Sequence, residues 1–145
     1  MFSKACEYAI RATIFIALQT KNKIIVSLKD ISKEIDSPIA FTGKILQSLA
    51  NKNILKSIKG AGGGYEINVS YKNNSINLYD IVVAIDGENL FKSCGIGLKE
   101  CNSIKPCPIH NEYKIIREGL VKLLVETTIN KLVIDSKKLD SFLKN

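Results

Sequence analysis

The apolar positions of the chain recur first at helical spacing. Tyr8, Ala12, Phe15 and Ile16 share one face of a helix running from about Ser3 to Gln19. After a polar break at Lys21 to Lys23, Ser27 stands three residues ahead of Asp30. That capping-box pattern opens a second, short helix carrying Leu28, Ile31 and Ile35. Ser37 and Pro38 have the types of an N-cap and a first helical residue, and Ile45, Leu46 and Leu49 extend a third helix to about Asn51. Two strand-like segments follow, 54–58 and 65–69, joined by Lys59 and a glycine-rich tip. Asn77, three residues ahead of Asp80, starts a fourth helix with Leu78, Ile81, Val82 and Ile85 as its inner row; Asp86 and Gly87 end it. The longest periodic run is Ile109, Tyr113, Ile116, Leu120 and Leu123, spaced by four, three, four and three residues. That is the period of a helix packing along another helix, and the expected partner is the same helix of a second copy. Thr127 or Thr128 then caps a last helix through Ile129, Leu132 and Val133, and the lysine-rich tail after Asp135 carries no reading.

A long helix followed by two short ones with a tight break at Asp36 and Ser37 has helix-turn-helix proportions. The third helix carries Ala40, Phe41, Thr42, Lys44, Gln47 and Ser48 off its apolar row, side chains that can approach base edges and phosphates. Any three-helix core resembles this, so the hairpin matters. A phosphate-cradling nucleotide loop leads into a helix and ends in Lys plus Ser or Thr, whereas residues 60–64 lead into a strand at Tyr65. The hairpin is therefore read as a wing, with Gly62 and Gly63 exposing backbone N–H groups to phosphates and Lys59 positioned to enter a minor groove. The candidate DNA contacts are Ser37, Ala40, Phe41, Thr42, Lys44, Lys59, Gly62 and Gly63.

Charge strengthens this reading. The formal net charge is +7, and no acidic residue falls between Ser37 and Tyr65, where Lys44, Lys52, Lys56 and Lys59 all lie. Such a segment suits a polyanion, although a solvated lysine face has the same composition. At 145 residues, 46% of them apolar, the chain can bury a proper core. The run Ala9 to Leu18, broken by Arg11, is too short to span a membrane and poorly shaped as a signal peptide, so a cytoplasmic protein is expected.

Three of the four cysteines and the single histidine cluster between Phe91 and His110. Six residues separate Cys94 from Cys101, five separate Cys101 from Cys107, and two separate Cys107 from His110. Gly95, Gly97, Pro106 and Pro108 discourage regular structure between them. In a reducing compartment such a loop points to metal or redox chemistry rather than a disulfide framework. A division follows: a winged helix-turn-helix head over 1–88, a cysteine loop over 89–108, and a long dimerisation helix with a C-terminal helix over 109–145.

With these parts together, the chain resembles the winged-helix regulators of the IscR and NsrR type, the Rrf-two family. The resemblance runs from Tyr8-Ala9-Ile10-Arg11-Ala12 to Thr128-Ile129-Asn130-Lys131-Leu132-Val133 and is most specific at Lys59-Gly60-Ala61-Gly62-Gly63-Gly64-Tyr65 and at the cysteine triplet. It implies a mainly α fold and a homodimer crossed through its long helices, reading a two-fold-related operator on double-stranded DNA. It also implies an iron-sulfur cluster, 2Fe-2S or 4Fe-4S, that sets operator affinity in response to nitric oxide, oxygen or redox state, or iron-sulfur status. Cys94, Cys101 and Cys107 correspond to the thiolate ligands. The fourth ligand divides the family: His110 matches one branch, and Glu7, ligating the partner subunit's cluster, matches another. The first gap, six residues where five is more usual, departs from the pattern. Two alternatives stand beside this reading. One is a zinc- or thiol/disulfide-based switch on the same fold; the other is a cluster-carrying redox enzyme, for which the chain supplies no acid, base or nucleophile constellation.

Overall fold

The computed structural model describes residues 1–139; residues 140–145, the end of the expected C-terminal segment, lie outside it. The architecture is mainly helical, with a two-stranded antiparallel sheet. Helix α1 (Lys4–Lys21) begins where Ser3 turns extended and accepts the Cys6 amide on its hydroxyl at 3.1 Å. The buried side of α1 is lined largely by small residues, Ala9, Ala12, Thr13 and Ala17 around Ile16, which lets neighbouring elements approach closely.

Helix α2 (Leu28–Glu34) is capped by Ser27, as its sequence predicts: the hydroxyl accepts from the Asp30 amide at 3.1 Å. The break after it is held from inside. Asp36 sits at φ 52°, and the Ser32 hydroxyl donates to the Ser37 carbonyl at 2.6 Å. Helix α3 (Ile39–Asn51) starts one residue later than expected. Pro38, at φ −57° and ψ 135°, is its N-cap rather than its first helical residue. The Ser37 hydroxyl does not cap; it accepts from the Thr42 hydroxyl at 3.0 Å.

Strands β1 (Leu55–Ile58) and β2 (Gly64–Ile67) pair with Leu55 opposite Ile67 and Ile58 opposite Gly64. A bridge between Val26 and Tyr65, with N–H···O distances of 3.0 and 2.8 Å, ties this wing to the segment ahead of α2. A tight turn at Tyr71–Asn74, with Lys72, Asn73 and Asn74 at positive φ, brings the Lys72 ammonium onto the buried Asp80 carboxylate. Helix α4 (Leu78–Asp86) has the full Asn77–Asp80 capping box and ends at Gly87 with φ 77°.

Beyond Gly87 lies a short helix, α5 (Asn89–Lys92), in a segment read from sequence as irregular; burial of Phe91 stabilises it. The cysteine loop follows, then α6 (His110–Glu126) and α7 (Ile129–Leu139). Helix α7 returns to the head. Its first amide, Ile129, donates to the Ile76 carbonyl at 2.9 Å, and Ile129 and Val133 join the main core.

That core gathers Ile16, Ile31, Ile35, Leu46, Leu49, Ile54 and Ile81, all fully buried, and each such side chain contributes ~1.5–3 kcal/mol. A smaller core of Cys6, Val82, Phe91 and Leu124 joins α1, α4, α5 and α6. Burial, followed by the neighbouring Asp86 carboxylate, pushes the Cys6 thiol up to about 12. Cys6 is thus a small packed residue that stays protonated at neutral pH.

Candidate nucleic-acid interface and thiol loop

Between α3 and the wing lies a concavity of about 590 Å³, lined by Ala40, Gly43, Lys44, Gln47, Ala50, Asn51, Ser57, Lys59 and Tyr65. The helical residues among them fall one turn apart, so they form a single stripe along α3. No carboxylate lines the concavity, and Ala40, Lys44 and Lys59, all expected as DNA contacts, lie on it. Gly62 and Gly63 sit at the wing tip. Gly62 needs its φ of 71°, with open space around it, whereas a Cβ on Gly63 would lie 2.2 Å from the Ile58 carbonyl oxygen. Gly63 is therefore required by the hairpin itself, independently of any phosphate.

Two residues of the outward face expected for α3, and Ser37 just ahead of the helix, turn inward instead. Thr42 is fully buried, and its hydroxyl is bonded to the Pro38 carbonyl at 2.9 Å and to Ser37 at 3.0 Å. Ser37 is itself buried. Phe41 is half-buried and packs edge-on against Tyr8, ring centroids 5.8 Å apart. The reason is helical rotation. Thr42 precedes Ile45, Leu46 and Leu49 by three, four and seven residues, which places it on the apolar row. The same arithmetic links Ala40 with Lys44, Gln47 and Asn51, and would have found Asn51, which sequence reasoning missed along with Ser57.

The cysteine loop brings its expected residues together in pairs, Cys94 near Cys107 and Cys101 beside His110. Cys94 is buried, and the N–H groups of Ile96 and Leu98 point at its sulfur. Those bonds, with smaller help from the Cys107 thiol and the Gly97 N–H, hold Cys94 below the usual thiol range despite the opposing loss of solvation. Cys107 is shifted the other way, first by desolvation and then by its neighbours Cys94 and Cys101. His110 is buried, its Nδ1 3.5 Å from Cys101 Sγ and its Nε2 3.5 Å from the Ser103 hydroxyl. From the third turn of α6, Arg117 Nη1 donates to Cys101 Sγ at 3.3 Å and to the Ser93 carbonyl at 3.0 Å. Arg117 and Ser103 carry no sequence signal for these roles.

Three soft thiols and an imidazole, one sulfur cradled by amide N–H groups, fit an iron-sulfur group by donor chemistry. Among the described residues, no three His, Cys, Asp or Glu side chains converge to hold a single metal ion. A cluster carries more than one iron, so its ligands need not share one point. Glu7 lies on the exposed first turn of α1, ion-paired with Lys4 at 3.1 Å. On α6, Tyr113 and Leu120 of the expected row are half-buried within the chain, while Ile116 and Leu123 are exposed. Among the described residues no helix is long and apolar enough to cross a membrane.

A helix-turn-helix whose second helix and wing build one basic, carboxylate-free groove has the architecture of a winged-helix DNA-binding protein. The family can be stated more narrowly. The chain matches the Rrf2 model, described as an iron-dependent transcriptional regulator, over residues 2–135, and it belongs to the Rrf2 family. It is 24% identical over 142 residues to an HTH-type transcriptional regulator of Aquifex aeolicus (strain VF5), covering 96% of each chain. Among solved structures it is similar to CymR, the global cysteine regulator of B. subtilis, with TM-score 0.73, 22% identity, and 92% of this chain and 95% of that one covered. It is also similar to T. potens IscR, with TM-score 0.74, 19% identity, and coverage of 97% and 91%. At these identities the two structures speak for the fold.

Proposed function

We propose that this regulator is a homodimer that binds a two-fold-related operator and carries an iron-sulfur cluster in its 94–110 loop. Cys94, Cys101 and Cys107 supply the thiolates and His110 the fourth ligand; bound there, the cluster provides a center that nitric oxide, oxygen or iron shortage can modify. The observation that carries the reading is the gathering of the loop donors at the start of α6, with His110 beside Cys101. Glu7 is the less favoured fourth ligand, because its carboxylate is engaged with Lys4 on the surface. The exposed Ile115, Ile116 and Leu123 of α6 support a dimer seam, and the α3–wing groove supports operator binding through Ala40, Lys44, Gln47 and Lys59. Ligation changes on one side of α6 would then alter the placement of the two recognition helices.

Iron and acid-labile sulfide analysis after anaerobic purification tests this. Wild type should be coloured and carry both elements, Cys101→Ala should carry neither, and Cys6→Ala should match wild type. Full cluster absorbance in Cys101→Ala would refute the ligand assignment. A second reading has one specific support: the Cys94 and Cys107 thiols lie near enough to act on each other's ionisation, as the partners of a disulfide switch would. A colourless protein forming a Cys94–Cys107 disulfide under mild peroxide would favour it.

A further inference from the structure

We infer that Arg117 is a positioning residue for the Cys101 sulfur and the link through which the cysteine loop acts on α6; this rests on the cluster reading above. One guanidinium nitrogen serves two acceptors. Arg117 Nη1 reaches Ser93 O at 3.0 Å and Cys101 Sγ at 3.3 Å, joining the entrance of the loop to its middle cysteine. One turn earlier on α6, Tyr113 grips the same loop. A Cβ on Gly95 would lie 2.9 Å from the Tyr113 ring, so the backbone at Gly95 is pressed against that ring. The guanidinium carbon stands 5.8 Å from the Tyr113 ring centroid, as the i, i+4 spacing of the two residues allows. Two consecutive turns of one helix therefore hold Ser93, Gly95 and Cys101.

The chemistry of the contact adds to its geometry. A guanidinium is always charged, and among the described residues no carboxylate pairs with Arg117, so its charge is committed to the loop. A thiolate bound to iron keeps lone pairs that accept N–H bonds, and a cationic donor there favours the more negative, reduced state of the group it ligates. The same helix presents exposed Ile116 and Leu123, the apolar residues proposed for the dimer seam. A change in what Cys101 binds is thereby felt at Arg117, within the helix that bears the seam.

The test compares the full-length wild type with Arg117→Met, Arg117→Gln and Arg117→Lys, all purified anaerobically. Each is measured for iron and sulfide content, for cluster midpoint potential by reductive titration followed in visible absorbance and circular dichroism, and for the ratio of operator affinities with and without cluster. Arg117→Met keeps the stem over Tyr113 without a donor, and should retain iron while shifting the potential to more negative values. Its affinity ratio should move toward one, and Arg117→Lys, which restores the charge, should recover most of both effects. A staple acting only on the Ser93 backbone would change the melting temperature and leave potential, dichroism and affinity ratio at wild-type values; that result overturns the inference. If Arg117→Met fails to fold or load, Arg117→Gln carries the test: a negative shift supports the inference and a wild-type potential overturns it. Absence of iron and sulfide from wild type is a separate failure, seen before any variant is made, and it removes the cluster reading and this inference together.

Discussion

In the head, Ile16, Ile31, Leu46, Leu49, Ile54 and Ile81 are shut away from water, and the hydroxyls of Thr13, Ser32 and Thr42 are bonded to main-chain carbonyls beside them. On α6, by contrast, Ile115, Ile116 and Leu123 stay 71%, 69% and 59% exposed, and the adjoining loop places thiols near one another. The first region buries these apolar side chains and pairs these hydroxyls within the chain. The second leaves soft donors and an apolar face available to something outside the chain. One polypeptide thus holds a packed scaffold, which carries the groove, and a second region that leaves thiols and apolar side chains without such packing.

The largest effect should come from opposing the two regions directly. Leu49→Ala removes a fully buried side chain and should cost ~2–5 kcal/mol in urea unfolding. Ile116→Glu should leave the far-ultraviolet circular dichroism unchanged and convert a dimer to a monomer in sedimentation velocity. Equal destabilisation by both, with no change in mass, would break the contrast. Next in size is Thr42→Val, which strands the Ser37 hydroxyl inside the head and should cost ~1–3 kcal/mol of stability without changing operator preference. A changed base preference would return Thr42 to the interface. Lys59→Ala should weaken binding to all duplexes alike and lower the salt slope by about 1, measured by anisotropy titration at several salt concentrations.

The smallest effect concerns pH. The Cys6 thiol titrates at about 12 in the folded chain against 9.0 when free. Only the unfolded chain loses that proton as pH first rises past 9.0, so the contribution is full below that value and is lost progressively toward about 12. Cys6→Ala should flatten the alkaline fall in urea stability; an identical pH profile in both proteins would contradict the assigned burial.

What was legible in the sequence was local. Ser27 with Asp30 and Asn77 with Asp80 lie within one helical turn, so their caps follow from neighbours alone. The wing announces itself through glycines that the hairpin backbone demands, and the cysteine spacing predicts a shared loop. What was missed depends on tertiary partners. The shift of the α3 start reflects Thr42 taking the Ser37 hydroxyl, and α5 exists because Phe91 finds a place beside Cys6, Val82 and Leu124. Phe41 turns toward Tyr8, a residue of another helix, and Arg117 gains meaning only when the loop brings Ser93 and Cys101 to one guanidinium.

In the proposed function, the loop's occupancy governs the groove. Its most direct test is selection from a random duplex pool with anaerobic cluster-bearing protein and with the same protein after cluster removal, followed by affinity measurement on the selected operators. The expected result is a set of two-fold-related sites whose affinity or sequence preference differs between the two forms. Identical operators bound with identical affinity by both forms would contradict it.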